Sequence, residues 1–213
     1  MSINLFFQIG EWIGTAAFAV SGAMVAVEKR TDIFGVLLLA VFTALGGGTI
    51  RDILIGHVPP HMFENFHYVF LSVVCALIVF IYARMNRERF FEDEKRIEQI
   101  NNIFDAIGLG VFAVSGARIG ADAGFSDNIF LLTFLGMTTA VGGGMLRDVM
   151  LQEMPFVLKK RIYAVAALLG ALTFSVLNHF GVSSMLAYGI GWAVTTILRL
   201  MATVFKWNLP KAI

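Results

Sequence analysis

Cys75 is the chain's one cysteine, which excludes an internal disulfide and a cysteine metal cluster. Charge is scarce as well. Only 15% of the 213 residues are charged, where a soluble domain has about a quarter. Neither sign prevails: 16 Lys and Arg against 15 Asp and Glu leave a net charge of +1, so no basic field awaits nucleic acid. No Lys or Arg precedes Lys29, which argues against a cleaved secretory signal. Enzyme signatures are missing too. There is no H-E-x-x-H helix, no nucleophile elbow and no P-loop, and Gly108-Leu109-Gly110 sits in an apolar stretch with no strand before it. What is abundant is apolar: 58% of residues are hydrophobic, with a mean hydropathy of +0.78. One soluble core cannot hide that much, and the same figures exclude disorder, coiled coil and collagen. The chain reads as an all-α integral membrane protein, not an enzyme.

Seven stretches are long enough to cross a bilayer, each needing about 20 mostly apolar residues. They fall near 8–27, 33–54, 66–84, 102–121, 128–150, 161–179 and 183–205. The longest polar interruption, 84–98, holds ten charged residues in fifteen, including Glu92-Asp93-Glu94-Lys95-Arg96. It reads as a solvated loop or exposed helix between two halves. When the loops are numbered alternately, Lys29, Arg30, Arg84, Arg87, Arg89 and Lys95 share one side with Arg96, Lys159, Lys160, Arg161, Lys206 and Lys211. The opposite loops contain no Lys or Arg; the remaining four arginines, Arg51, Arg118, Arg147 and Arg199, lie inside spans. The positive-inside rule then puts the N-terminus outside and the C-terminus in the cytoplasm of a multi-pass inner-membrane protein.

The chain also repeats itself. Phe18-Ala19-Val20-Ser21-Gly22-Ala23 recurs letter for letter as Phe112-Ala113-Val114-Ser115-Gly116-Ala117, 94 residues on. Thr43-Ala44-Leu45-Gly46-Gly47-Gly48 recurs as Thr139-Ala140-Val141-Gly142-Gly143-Gly144 at an offset of 96, and Arg51-Asp52 and Pro59 match Arg147-Asp148 and Pro155 at the same offset. Three spans separate equivalent points, and three is odd, so the second copy enters the membrane from the opposite side. The expected organisation is residues 1–85 as a first three-helix repeat, 86–100 as a charged cytoplasmic loop, 101–180 as the inverted repeat, and 181–213 as a seventh helix and tail. Inverted repeats are a common plan of transport proteins. A retinal-type receptor lacks this repeat and needs a lysine deep in its last helix. A parallel seven-helix sugar carrier needs a linker helix where this chain has its charged loop.

Gly46, Gly47 and Gly48 fall within the second span, and Gly142, Gly143 and Gly144 within the fifth. Each glycine costs about 1 kcal/mol relative to alanine in a helix interior. Broken backbone is tolerated in hydrocarbon only where it is buried or lines a wet cavity. The triplets are therefore expected to kink the two helices beside a pore; close helix packing is the alternative reading. Adjacent helical residues point about 100° apart, so Arg51 and Asp52 are expected to be poor partners for each other, as are Arg147 and Asp148. If the helices stay regular, Arg51 snorkels at the interface; if they bend, the pairs guard the two mouths of a central path. Ser21, Ser115 and Thr49 are further candidates to line that path, although a serine there also bonds a carbonyl one turn back. Glu11 and Asp105, equivalent near the start of each repeat, are expected to cap their helices or pair with arginines. His57, His61 and His67 surround the loop after the second span. Metal ligation needs a Cys or acidic group to complete it, and none is evident, so they read as surface histidines. No cofactor and no resident metal are expected.

With these motifs in place the sequence resembles the prokaryotic trimeric intracellular cation (TRIC) channels, whose bacterial members also bear a glycine-transporter label. The resemblance rests on the doubled Phe-Ala-Val-Ser-Gly-Ala block and the doubled glycine triplet followed by Arg-Asp, and covers about residues 9–207. It implies a homotrimer in the bilayer with a pore inside each protomer, lined by the glycine-kinked second and fifth helices and flanked by Arg51, Asp52, Arg147 and Asp148. The implied permeant is a monovalent cation, potassium first and sodium second. Animal members bind phosphoinositide through bases near the second triplet. Here Arg147 is the nearest base and Lys159-Lys160-Arg161 lies a loop away, so the resemblance does not carry that regulation across. The residues alone leave open a secondary carrier of a small zwitterion such as glycine, held by an Arg and an Asp.

Overall fold

The computed structural model describes residues 3–86, 90, 94–159 and 162–207. Its helices are α1 (Ile3–Glu28), α2 (Ile33–Leu54), α3 (His61–Glu64), α4 (Phe66–Met85), α5 (Glu94–Gly120), α6 (Ile129–Met150), α7 (Phe156–Lys159), α8 (Tyr163–His179) and α9 (Ser184–Val204). Six are long and apolar enough to span a membrane. The remaining apolar helix, α8, has 17 residues, about 26 Å of rise. The helices fall where the hydropathy places the seven stretches, with two extensions. α1 starts at Ile3. α5 starts at Glu94, so the end of the charged interruption is helix; Arg87, Arg89, Glu92, Asp93, Lys160, Arg161 and Lys211 lie outside the described residues.

Local chemistry sets the helix boundaries. Asp32 caps α2 by accepting from Gly35 N at 2.8 Å, and Asn128 caps α6 by accepting from Leu131 N at 3.0 Å. These caps are themselves 96 residues apart. α5 runs on into one wide turn, Ala121–Phe125, which Gly124 ends at φ +97, a conformation that glycine adopts without a Cβ penalty.

The two repeats, α1-α2-α4 and α5-α6-α8, are built alike and inverted. α4 lies against α1 and α2, as α8 lies against α5 and α6, while α9 packs on α5 and α8. α5 is the most enclosed of the spans and α4 the most exposed; Phe34, Phe70, Ile78 and Phe130 are among the large apolar side chains turned outward, as lipid-facing positions are. Phe18 and Phe112, equivalent in the repeat, meet at the centre with ring centroids 5.2 Å apart.

The glycine triplets do not break their helices: α2 and α6 run unbroken through them. The triplets do not unwind the helices; they bring two backbones together, as the close-packing reading expects. A Cβ on Gly47 would overlap the carbonyl oxygen of Thr139, and one on Gly143 would overlap that of Thr43. In glycine that direction carries a hydrogen, which instead points at the carbonyl. Within each repeat, Thr43 and Thr139 turn their hydroxyls back to Leu39 O and Leu135 O, both at 2.6 Å. Those threonines fill the space that Gly22 and Gly116 leave open on the facing helix.

Candidate permeation site

The third glycine of each triplet faces the arginine of a charged pair, and Gly144 also faces the Tyr163 hydroxyl. Arg51 donates to Asp52 Oδ1 from Nε at 2.9 Å and Nη2 at 2.6 Å. Arg147 donates to Asp148 Oδ1 from Nε at 2.9 Å, and its Nη2 forms an ion pair with the same oxygen at 2.8 Å. This overturns the expectation that such neighbours are poor partners. The 100° separation holds at the Cβ atoms, but a guanidinium on three methylenes is long enough to fold back across the helix end. The third glycines leave it room: a Cβ on Gly48 would stand 3.6 Å from Arg51 Nη2, and one on Gly144 3.8 Å from Arg147 Nη2. Neither arginine snorkels, for they are 6% and 4% exposed. The other carboxylate oxygens tie down the following chain. Asp52 Oδ2 accepts from His61 N at 2.9 Å, and Asp148 Oδ2 from Phe156 N at 2.6 Å.

Glu11 and Asp105 cap nothing, because α1 and α5 begin well before them. Glu11 accepts from the Tyr68 hydroxyl at 2.9 Å and from Ser115 Oγ at 3.1 Å; Asp105 accepts from the Tyr163 hydroxyl at 3.1 Å. The mirrored serine bond is missing. Asp105 is one methylene shorter than Glu11, and the buried Ser21 Oγ has no hydrogen-bond partner among the described residues. Asp105 Oδ2 also lacks a hydrogen bond and lies 3.9 Å from Arg199 Nε. Thr49 bonds back to Leu45 O at 3.0 Å, whereas no such bond to a carbonyl one turn back holds Ser21 or Ser115.

Arg199 is one of the four arginines inside spans, and the repeat pattern assigns it no partner. It is 1% exposed, donates to Thr203 Oγ1 at 2.7 Å, and lies over the rings of Tyr163 and Phe156 at 5.1 and 5.4 Å. An arginine inside an apolar span is itself a signal. Its helix has no counterpart in the repeat, so the doubled motif offered no partner for it. Arg118 similarly pairs with Asp122 at 3.0 Å and lies 3.7 Å over the Phe7 ring.

Several of these groups line two vestibules, one at the C-terminal end of α2 and one at that of α6. The one at the C-terminal end of α2 has a volume of about 500 Å³ and is lined by Glu11, Asp52, His57, His61, Arg118 and Asp122 among others. A smaller cavity of about 60 Å³ shares Glu11, Asp52, His61 and Tyr68 with it and adds Gly48, Thr49, Arg51 and Ser115. The vestibule at the C-terminal end of α6 has about 550 Å³ and takes in Asp105, Arg147 and Asp148. Lys29 and Glu153 join at its rim at 2.7 Å, and that hydrogen bond holds the Lys29 ammonium above its usual range. The glycine crossing of α2 and α6 lies between the two. Ser21 lines neither vestibule.

The histidines also depart from expectation. His57 Nε2 is 2.9 Å from His61 Nδ1, and Glu64 Oε2 lies 3.4 Å from the first and 3.2 Å from the second. An acidic group therefore does complete the cluster. His67 stays outside it, with its ring against Phe66. The signal was present in the spacing His57, His61, Glu64, which repeats at three to four residues.

Comparison with known proteins agrees with this fold. The family model described as "Glycine transporter" matches residues 8–84 and again 102–179. The UPF0126 inner membrane protein YadS of Escherichia coli K12 is 34% identical, over 93% of this chain and 92% of its own. Among solved structures, a TRIC cation channel is 37% identical with a TM-score of 0.85, over 97% of both chains. The TRIC orthologue from Rhodobacter sphaeroides is 35% identical with a TM-score of 0.84, over 94% of this chain and 98% of that one. On these grounds the chain belongs to the prokaryotic TRIC family, the multi-pass helical membrane proteins whose family model bears the glycine-transporter description.

Proposed function

We propose that the protein is a monovalent cation channel, conducting potassium and secondarily sodium, with a path inside each protomer of a homotrimer. The observation that carries this reading is the sign of the two vestibules. The α6 vestibule has five carboxylates, from Glu28, Glu98, Asp105, Asp148 and Glu153, against three bases, and the α2 vestibule has three carboxylates against Arg118. An excess of acid at each end concentrates cations and repels anions. The Arg51–Asp52 and Arg147–Asp148 pairs lie just beyond the glycine crossing of α2 and α6, one on each helix. Because each aspartate is matched by its own arginine, discrimination among cations is modest. Solved structures similar to this chain are TRIC cation channels, and the Rhodobacter sphaeroides orthologue is described as trimeric, which supports both the activity and the assembly. The α2 vestibule faces outside, following the basic residues on the opposite side.

Purified protein in a planar bilayer under a potassium gradient, without amino acid, tests the reading. Discrete openings that reverse near the potassium potential are expected. Asp52→Asn with Asp148→Asn keeps an acceptor for the backbone bonds but removes one negative charge per vestibule, so conductance and preference over chloride fall. A silent bilayer with saturable glycine uptake into matched liposomes refutes the channel and moves the same residues to a carrier site.

A further inference from the structure

The cluster at the mouth of the α2 vestibule has the chemistry and dimensions of a transition-metal site. Two imidazole nitrogens and one carboxylate oxygen converge with separations of 2.9, 3.2 and 3.4 Å. A tetrahedral ion with bonds of about 2.1 Å holds its ligand atoms about 3.4 Å apart, so closure around it needs only tenths of an ångström. Two histidines and a carboxylate suit zinc and its neighbours; calcium and magnesium want a shell of oxygens. All three side chains are partly exposed, between 38% and 52%, so an ion reaches them from solution. Without metal, one ring nitrogen donates to the other. With metal, both present lone pairs, and the donor ring carries its proton on its other nitrogen.

The backbone connects this cluster to the charged pair beneath it. Asp52 holds both histidines, accepting His57 N on its main-chain carbonyl at 2.8 Å and His61 N on Oδ2 at 2.9 Å, while its Oδ1 holds Arg51. His57 and His61 also line the vestibule itself. The equivalent stretch after α6, from Leu151 to Lys159, contains no histidine, so the other mouth has no such cluster. We propose that His57 Nε2, His61 Nδ1 and Glu64 Oε2 bind a divalent transition-metal ion of the zinc class, with water as fourth ligand, and that the bound ion obstructs cation passage from this side alone. Two positive charges at an acid-lined mouth oppose the entry of further cations, and the ion fixes α3 over Asp52. The obstruction rests on the channel reading, whereas the metal site does not.

Cobalt(II) titration of the purified protein in detergent tests the site by itself. The expected result is a tetrahedral visible absorption that saturates at one Co²⁺ per protomer and is displaced by Zn²⁺. Glu64→Gln should weaken binding by at least about tenfold, the scale that even an outer partner of a metal commands. His57→Ala with His61→Ala should abolish the absorption, while His67→Ala and His179→Ala leave it intact. Equal binding by the double variant, or loss of binding in His67→Ala, overturns the site. All of these side chains are on the surface, and unfolding midpoints matching the unmodified protein show that a variant has folded. In the bilayer, Zn²⁺ on one side should reduce the current, reversibly with chelator and not in the double variant. Stoichiometric Co²⁺ binding with current insensitive to Zn²⁺ on either side overturns the obstruction and keeps the site. A bilayer silent without metal refutes the channel and leaves the Co²⁺ result standing.

Discussion

Replacing Gly47 with alanine puts a methyl group into the carbonyl oxygen of Thr139, and Gly143→Ala does the same against Thr43. Each overlap is about 1 Å against backbone, which no rotamer can relieve, so α2 and α6 must part; overpacking of this kind costs about 1–3 kcal/mol. The double variant should lose less than the sum of the two, because one separation of the helices relieves both overlaps. Gly48→Ala behaves oppositely. Its methyl meets nothing closer than 3.6 Å, and alanine favours helix over glycine by up to about 1 kcal/mol, so stability is kept or raised. The same methyl projects beside Arg51 into the cavity of about 60 Å³, so Gly48→Ala is the variant that should lower current without unfolding the protein. SDS titration in mixed micelles, followed by tryptophan fluorescence, measures the first effect, and bilayer recording the second. If Gly48→Ala destabilises as much as Gly47→Ala, or Gly47→Ala unfolds at the unmodified detergent fraction, the division of labour within the triplet is wrong.

Arg199→Leu strands the Asp105 carboxylate in the interior and should destabilise by about 3–5 kcal/mol, whereas Arg199→Leu with Asp105→Leu should recover most of that loss in the same SDS assay. Orientation is checked in a Cys75→Ala background. A cysteine at Asp127, exposed in the loop between α5 and α6, should react with an impermeant reagent added outside intact cells. Protection of that cysteine, with labelling of one placed at Asn86, would invert the topology.

The architecture was largely legible in the sequence because its determinants are local or repeated. Span boundaries follow from hydropathy, and the inversion from counting spans between copies. What escaped depends on the reach of side chains and on tertiary neighbours. An angular argument places Cβ atoms and says nothing of how far a guanidinium extends, so the Arg51–Asp52 and Arg147–Asp148 pairs were misjudged. A glycine triplet read one helix at a time means weak helix, while against a second triplet it means backbone contact. Glu64 continues the three-to-four-residue spacing of His57 and His61, and the chain after α2 also folds back onto Asp52, which holds both histidines.

The contacts of Thr43 and Thr139 bear on how the two copies have been free to diverge. Each threonine fills a glycine gap in its own repeat and offers its carbonyl to a glycine of the other. A change at any of these positions is thus tested against both copies at once, by a partner that has not changed with it. Duplication ordinarily frees one copy to drift; here the interlock binds them, and the segments in contact have stayed nearly letter-identical while the chain around them has not. Where the interlock is absent drift has occurred, as in the methylene that separates Glu11 from Asp105 and the histidines found after one helix and not the other.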